Sequence, residues 1–188
     1  MADQPQQHLI LAFFDKEEDA DRAAEALQAF DKASEEVKYG AIGVLVKGPD
    51  GRIKEHKMGP RVTAKGVGIG VLFGLLVAAM PAVALVGGIV GGGVIGGIIG
   101  ALSHKGLGLF NEDLERYSAE LDAGHAAVGV MADESEAQST IEMLQGWGGR
   151  VEAHPVSEEA LAAAQAAADA ADKTAPAPAP SPAPDKKS

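Results

Sequence analysis

Residues 8–28, HLILAFFDKEEDADRAAEALQ, can be laid over residues 125–145, HAAVGVMADESEAQSTIEMLQ, without a gap. The overlay matches His8, Glu17, Ala20, Glu25, Leu27 and Gln28 with His125, Glu134, Ala137, Glu142, Leu144 and Gln145. Each segment opens with a short apolar run of strand length. It continues through an acidic cluster into residues at helical spacing, such as Ala20, Ala23, Ala24, Leu27 and Phe30. Asp15 with Glu18, and Asp133 with Glu136, have the spacing of capping boxes. The run HLILAFF has no polar alternation, as expected of a strand buried on both faces.

Each unit is followed by a further strand, Lys38 to Val46 after the first and Arg150 to Val156 after the second. Two βαβ units separated by 117 residues predict an α+β fold, a ferredoxin-like split βαβ sandwich. Its halves are residues 8–46 and 125–156. The chain between them is an insertion. Within it, residues 47–65 form a basic β-hairpin and connector, turning at Pro49, Asp50 and Gly51 and returning from Arg52 to Lys57. Residues 106–124 form a helix capped by Asn111 and ended by Gly124, with Leu107, Phe110, Leu114, Tyr117 and Leu121 on one side. Residues 157–173 read as an Ala-rich helix and 174–188 as a disordered Pro/Ala tail.

The centre of the insertion, Gly66 to Ser103, has 38 residues and no charge, with twelve glycines and eighteen residues drawn from Val, Leu, Ile and Phe. At roughly 0.3 to 0.6 kcal/mol each, those eighteen favour a membrane by about 5 to 11 kcal/mol before glycine and proline subtract. As a helix the stretch extends roughly 57 Å, close to two crossings of a core about 30 Å thick. A hairpin turning near Pro81 fits, so residues 66–103 are expected to form a membrane hairpin. Gly66, Gly70 and Gly74 recur on one arm, and Gly88, Gly92, Gly96 and Gly100 on the other, so that helices can pack closely as a glycine zipper. Gly91, Gly93 and Gly96 also spell G-x-G-x-x-G, but without the strand and downstream acid that dinucleotide binding needs. No cofactor is expected.

Formal charge is −11 overall, yet Lys47 to Lys65 holds six basic residues against two acidic ones. Arg52, Lys54, Lys57, Arg61 and Lys65 thus precede the apolar stretch, and His104 and Lys105 follow it. Cations at both ends place both ends on the cytoplasmic side, near lipid headgroups. The N-terminal MADQPQQ has no charged start and apolar core, so the soluble domain and both termini are expected in the cytoplasm. With 4% aromatics and an acidic balance, nucleic acid is an unsuitable partner. The chain has no cysteine, which excludes thiolate chemistry.

A family resemblance is carried by Ala41 to Lys54 with its Asp50–Gly51 turn, and by Gly66, Gly68 and Gly70 running into Phe73, Gly74, Leu75 and Leu76. Pro81, the glycines from Gly87 to Gly100, and Gly106, Phe110, Leu114, Leu121 and Gly124 complete it. Across residues 8–156 the chain resembles a widespread bacterial family of uncharacterised predicted membrane proteins, a domain of unknown function with a glycine-rich centre. The resemblance implies this architecture and membrane association, and it implies no reaction. The Ala-rich helix and Pro/Ala tail depart from it.

Candidate chemistry is sparse. The carboxylates Glu17, Glu18 and Asp19, Glu112 and Asp113, and Asp133 and Glu134 each open a helix, where they complement its dipole. His8 and His125 occupy equivalent repeat positions on strands expected to be neighbours, so a shared metal is geometrically conceivable, although two ligands lack a third. Strand-edge histidines are the simpler reading, and no enzymatic constellation stands out. The function expected is a membrane-associated structural or interaction protein whose partners are the lipid bilayer and further copies of itself. Two alternatives stay open: a pore or transport component, and a soluble oligomeric ligand-binding regulator with its hairpins packed centrally.

Overall fold

A computed structural model describes residues 6–34, 39, 41–48, 53–57 and 108–162. The elements are β1 (Gln7–Phe14), α1 (Glu17–Ala33), β2 (Ala41–Lys47), β3 (Ile53–Lys57), α2 (Asn111–Asp122), β4 (Ala126–Asp133), α3 (Glu134–Gly146) and β5 (Arg150–Val156). Residues 158–162 begin a further helix. The architecture is α+β, and the five strands form one antiparallel sheet in the order β3-β2-β4-β1-β5.

The repeat sets this layout. α1 and α3 begin at Glu17 and Glu134, the spacing of the overlay. Each βα unit sends its helix across the same sheet face, where Ile10, Ala12 and Phe14 of β1 and Val128 and Val130 of β4 meet Ala20, Ala23, Ala24 and Leu27 of α1 and Ala137 and Leu144 of α3. Alanines dominate α1's inner stripe, which lets the helix lie close to the β-branched residues beneath it.

Leu9, Leu11 and Phe13 point to the opposite face and are equally buried. On that face α2 packs on β2 and β4 and contributes the buried Leu114, Tyr117 and Leu121. The Phe13 and Tyr117 rings stack with centroids 5.0 Å apart. The sheet therefore has helices on both faces, the condition under which a strand carries an unbroken apolar run.

Helix ends explain the boundaries. α2 and α3 both close in Schellman motifs. Gly124 donates to the Leu121 carbonyl and His125 to that of Glu120; Gly148 donates to Gln145 and Gly149 to Leu144. Gly124 and Gly148 take φ of 89° and 88°, left-handed values that suit glycine. Gly124 thus ends α2 as expected. At the start of α3, Glu136 accepts from the Asp133 amide at 3.3 Å, as its capping box requires.

Two predicted caps are displaced by one residue. The N-cap of α1 is Lys16 and not Asp15: the amides of Asp19 and Ala20 donate to the Lys16 carbonyl, and the Asp15 carboxylate accepts from Arg150 instead. The cap of α2 is Phe110, so Asn111 is the first helical residue. Phe110 is also 72% exposed rather than on the apolar face. Its φ of −99° and ψ of 162° are extended, so its side chain does not follow the helical periodicity of Leu114, Tyr117 and Leu121.

Candidate functional site

Strand register gives the sheet two distinct ends. At one, Gln7 lies across from Asp133 and Val156; at the other, Phe14 pairs with Ala126 and Phe13 with Arg150. β2 runs in the direction of β1, and β3 turns back, so the chain leaves β3 after Lys57 heading toward the Gln7 end. It re-enters the described structure at Gly108, against Pro155 and His154 of β5, residues paired with His8 and Leu9. Both attachments of the segment between them thus face one end of the sheet.

Re-entry is held by a polar latch. On β5, Glu152 and His154 alternate onto the α2 face; on α2, Asp113, Arg116 and Tyr117 sit at helical spacing opposite them. His154 places Nδ1 3.1 Å from the Gly108 carbonyl, which can only accept, so Nδ1 carries a hydrogen. Its Nε2 lies 2.6 Å from the Tyr117 hydroxyl, which also reaches Glu152 at 2.8 Å. Arg116 donates to Glu152 at 2.5 Å and to Asp113 at 2.7 Å, and Asp113 accepts from the Phe110 amide at 2.9 Å.

Charge in the latch is locked. Burial pushes the Tyr117 phenol well above its ordinary value, and the bond to Glu152 adds to this. Burial would raise Asp113, but the Phe110 amide and Arg116 overcome it and hold its carboxyl below the usual range. Arg116, for its part, is held charged by its acidic partners despite burial. Such a network orients a backbone and offers no free nucleophile. Gly108 itself has φ 67°, and a Cβ there would stand 2.6 Å from the Pro155 carbonyl oxygen.

A second network ties the Phe14 end. Arg150 donates to Asp15 at 2.7 Å and to Glu120 at 2.6 Å, and the His125 ring meets Glu120 at 2.5 Å. Asp15 is lowered mainly by the Arg150 hydrogen bond; Glu120 is lowered because His125 and Arg150 outweigh its burial. Lys47 pairs with Asp122, joining β2 to the end of α2.

The shared histidine site is not formed. β1 and β4 are antiparallel, so His8 lies across from Ala132 at one end of the sheet, whereas His125 precedes Ala126 at the other. Repeat equivalence in an antiparallel pair puts corresponding positions at opposite ends. Among the described residues no group of three or more His, Asp and Glu side chains is set to hold a metal.

Carboxylates at the helix starts are where the sequence placed them: Glu17, Glu18 and Asp19 in the first turn of α1, Glu112 and Asp113 in that of α2, and Asp133 and Glu134 around the start of α3. Of the expected headgroup cations, Lys54 and Lys57 lie on β3, across from Val46 and Gly43. Arg52, Arg61, Lys65 and Lys105 lie outside the described residues, as do Gly66, Gly70, Gly74, Pro81, Gly88, Gly92, Gly96 and Gly100. Among the described residues no helix is long and apolar enough to cross a membrane, and the stretch 66–103 is outside them. The latch itself was signalled by two matched patterns, polar residues at period two on β5 and at helical period on α2. Read singly, each is an ordinary solvated face.

No curated protein matches this chain, and neither does any solved structure. A family model described as a protein of unknown function, DUF1269, matches residues 63–168, more than half of the chain. The matched region starts in the basic connector and runs through the apolar stretch, α2, β4, α3 and β5. The chain belongs to the DUF1269 family.

Proposed function

We propose that this protein is a membrane-associated structural and interaction module. An α+β domain of ferredoxin-like topology stays in water and carries residues 66–103 as a glycine-zipper hairpin, which inserts into the cytoplasmic membrane and joins copies of the chain. The observation that carries this reading is that both attachments face the same end of the sheet from its two edges, β3 leading out past Lys57 and Gly108 leading in against β5. A hairpin that enters and leaves a bilayer on the same side needs that arrangement. The ferredoxin-like assignment is supported by the strand order β2-β4-β1-β5 built from two βαβ units, with β3 as an added edge.

In this reading α2 belongs to the soluble domain, packing on β2 and β4 and stacking Tyr117 on Phe13. Insertion into the bilayer is then left to the segment between Lys57 and Gly108. Gly66, Gly70 and Gly74, with Gly88, Gly92, Gly96 and Gly100, supply the close helix contacts, and the flanking cations meet the headgroups. The test is carbonate washing of membranes from cells carrying the full chain, then detergent extraction and sizing. Retention until detergent releases an oligomer is the expected result. Recovery as a large assembly without detergent would instead make the apolar stretch the core of a soluble oligomer, and ion flux in liposomes would make it a pore.

A further inference from the structure

We propose that Phe110 is an interfacial anchor, a fixed aromatic ring that seats the Gln7 end of the sheet at the water–lipid boundary. This rests on the membrane reading above and adds to it the orientation of the soluble domain. Phe110 is 72% exposed, more than Trp147 or Phe30, the other exposed large apolar side chains among the described residues.

The exposure is not that of a fraying end. Leu109 beside it is 1% exposed, and Gly108 before that is clamped between the Pro155 carbonyl and the His154 ring. The Phe110 amide donates to Asp113, and its carbonyl accepts from the amides of Asp113 and Leu114 at 3.1 and 3.2 Å. The backbone is therefore held on both sides while the ring is displayed outward. In sequence Phe110 lies seven positions after Ser103, the last residue of the uncharged stretch. In space it adjoins the Gly108 attachment at the Gln7 end.

An aromatic ring is favoured at the level of lipid headgroups, where its apolar body leaves water without entering the hydrocarbon centre. The occupant is a bilayer and not a partner groove, because the stretch that ends just before Phe110 is the chain's one long uncharged apolar run. Contact is end-on. The outward residues of α2 include Glu112, Glu115, Arg116 and Asp122, which keep the flank of that helix in water. Trp147 closes α3 at the opposite end, beside the Phe14 level of the sheet, and so reports on the side that faces away from lipid.

The experiment moves the chain's single tryptophan. Full-length protein carrying Phe110→Trp with Trp147→Phe, and the unaltered protein, are each reconstituted into phosphatidylcholine vesicles. Half of the vesicles carry bromine on the acyl chains near the headgroup. Both proteins are expected to float with the vesicles. The variant should lose indole fluorescence in brominated lipid, whereas the unaltered protein, reporting from position 147, should keep it. If the variant floats but its fluorescence is the same in both lipids, the anchor is refuted and the membrane reading stands. If neither protein floats, the membrane reading falls and the anchor with it.

Discussion

Replacing Gly108 by alanine tests the latch where its geometry is tightest. Two costs arise, and they can be separated. A φ of 67° places any L-residue in the left-handed region, which costs roughly 1 to 2 kcal/mol. The new Cβ would also stand 2.6 Å from the Pro155 carbonyl oxygen, a backbone atom of β5 that cannot swing aside, and overpacking of that kind adds about 1 to 3 kcal/mol. The sum is about 2 to 5 kcal/mol. Gly124 is the internal control, since its φ is 89° but a Cβ there meets nothing within 4 Å. Gly124→Ala should therefore cost only the strain, about 1 to 2 kcal/mol. Urea unfolding of the full chain in nonionic detergent, followed by the fluorescence of its single tryptophan, reads both variants in the α+β domain. With a urea slope of about 1 to 3 kcal/mol/M, a 3 kcal/mol loss lowers the midpoint by roughly 1 to 3 M. Equal midpoints for the two variants would show that Gly108 is not pressed against β5, and the latch would lose its basis.

Other expectations follow from the same contacts. Tyr117→Phe keeps the stack on Phe13 but strips one partner from both His154 and Glu152, and should cost about 1 to 3 kcal/mol in the same assay. Leu27→Ala, emptying a fully buried position between α1 and the sheet, should cost about 2 to 5 kcal/mol without altering carbonate resistance. Asp113, Glu120 and Asp15 all have folded-state values below their ordinary ones, so their stabilisation is complete at neutral pH and is lost as pH falls below the usual carboxylate range near about 4. Acid titration of Glu120→Gln should show a shallower loss below that point, with less than about 1 kcal/mol lost at neutrality because the pair is partly solvated. Gly92→Leu combined with Gly96→Leu should dissociate the detergent-extracted oligomer on sizing; an oligomer of unchanged size would contradict the glycine zipper.

Much of the fold was legible because the two halves repeat. The overlay of residues 8–28 on 125–145 puts the starts of α1 and α3 at the equivalent residues Glu17 and Glu134, and the unbroken apolar run HLILAFF announces the double-sided burial of β1. The cover on the second sheet face was harder to read. HLILAFF announces two apolar neighbours, yet nothing local says that the second is a helix lying beyond the apolar stretch. Pairing a covering helix with a sheet face is a long-range choice, made here by Phe13 against Tyr117 and by Lys47 against Asp122. The histidine pair failed for a related reason, since equivalence along the chain does not give proximity when the strands run in opposite directions. Phe110 leaves the apolar face because the helical period of α2 begins only at Asn111, one residue after it.

The proposed function requires residues 66–103 to enter lipid and return on the side they left. Because the chain has no cysteine, single cysteines can report on this without background. Lys57→Cys, Ala82→Cys and Lys105→Cys would be exposed in turn to a membrane-impermeant maleimide in sealed inverted vesicles, whose outer surface is cytoplasmic. Labelling at positions 57 and 105, with position 82 protected until detergent is added, is the predicted result. Labelling at only one of the two flanks, or at all three positions before detergent, would contradict a same-side hairpin buried in the bilayer.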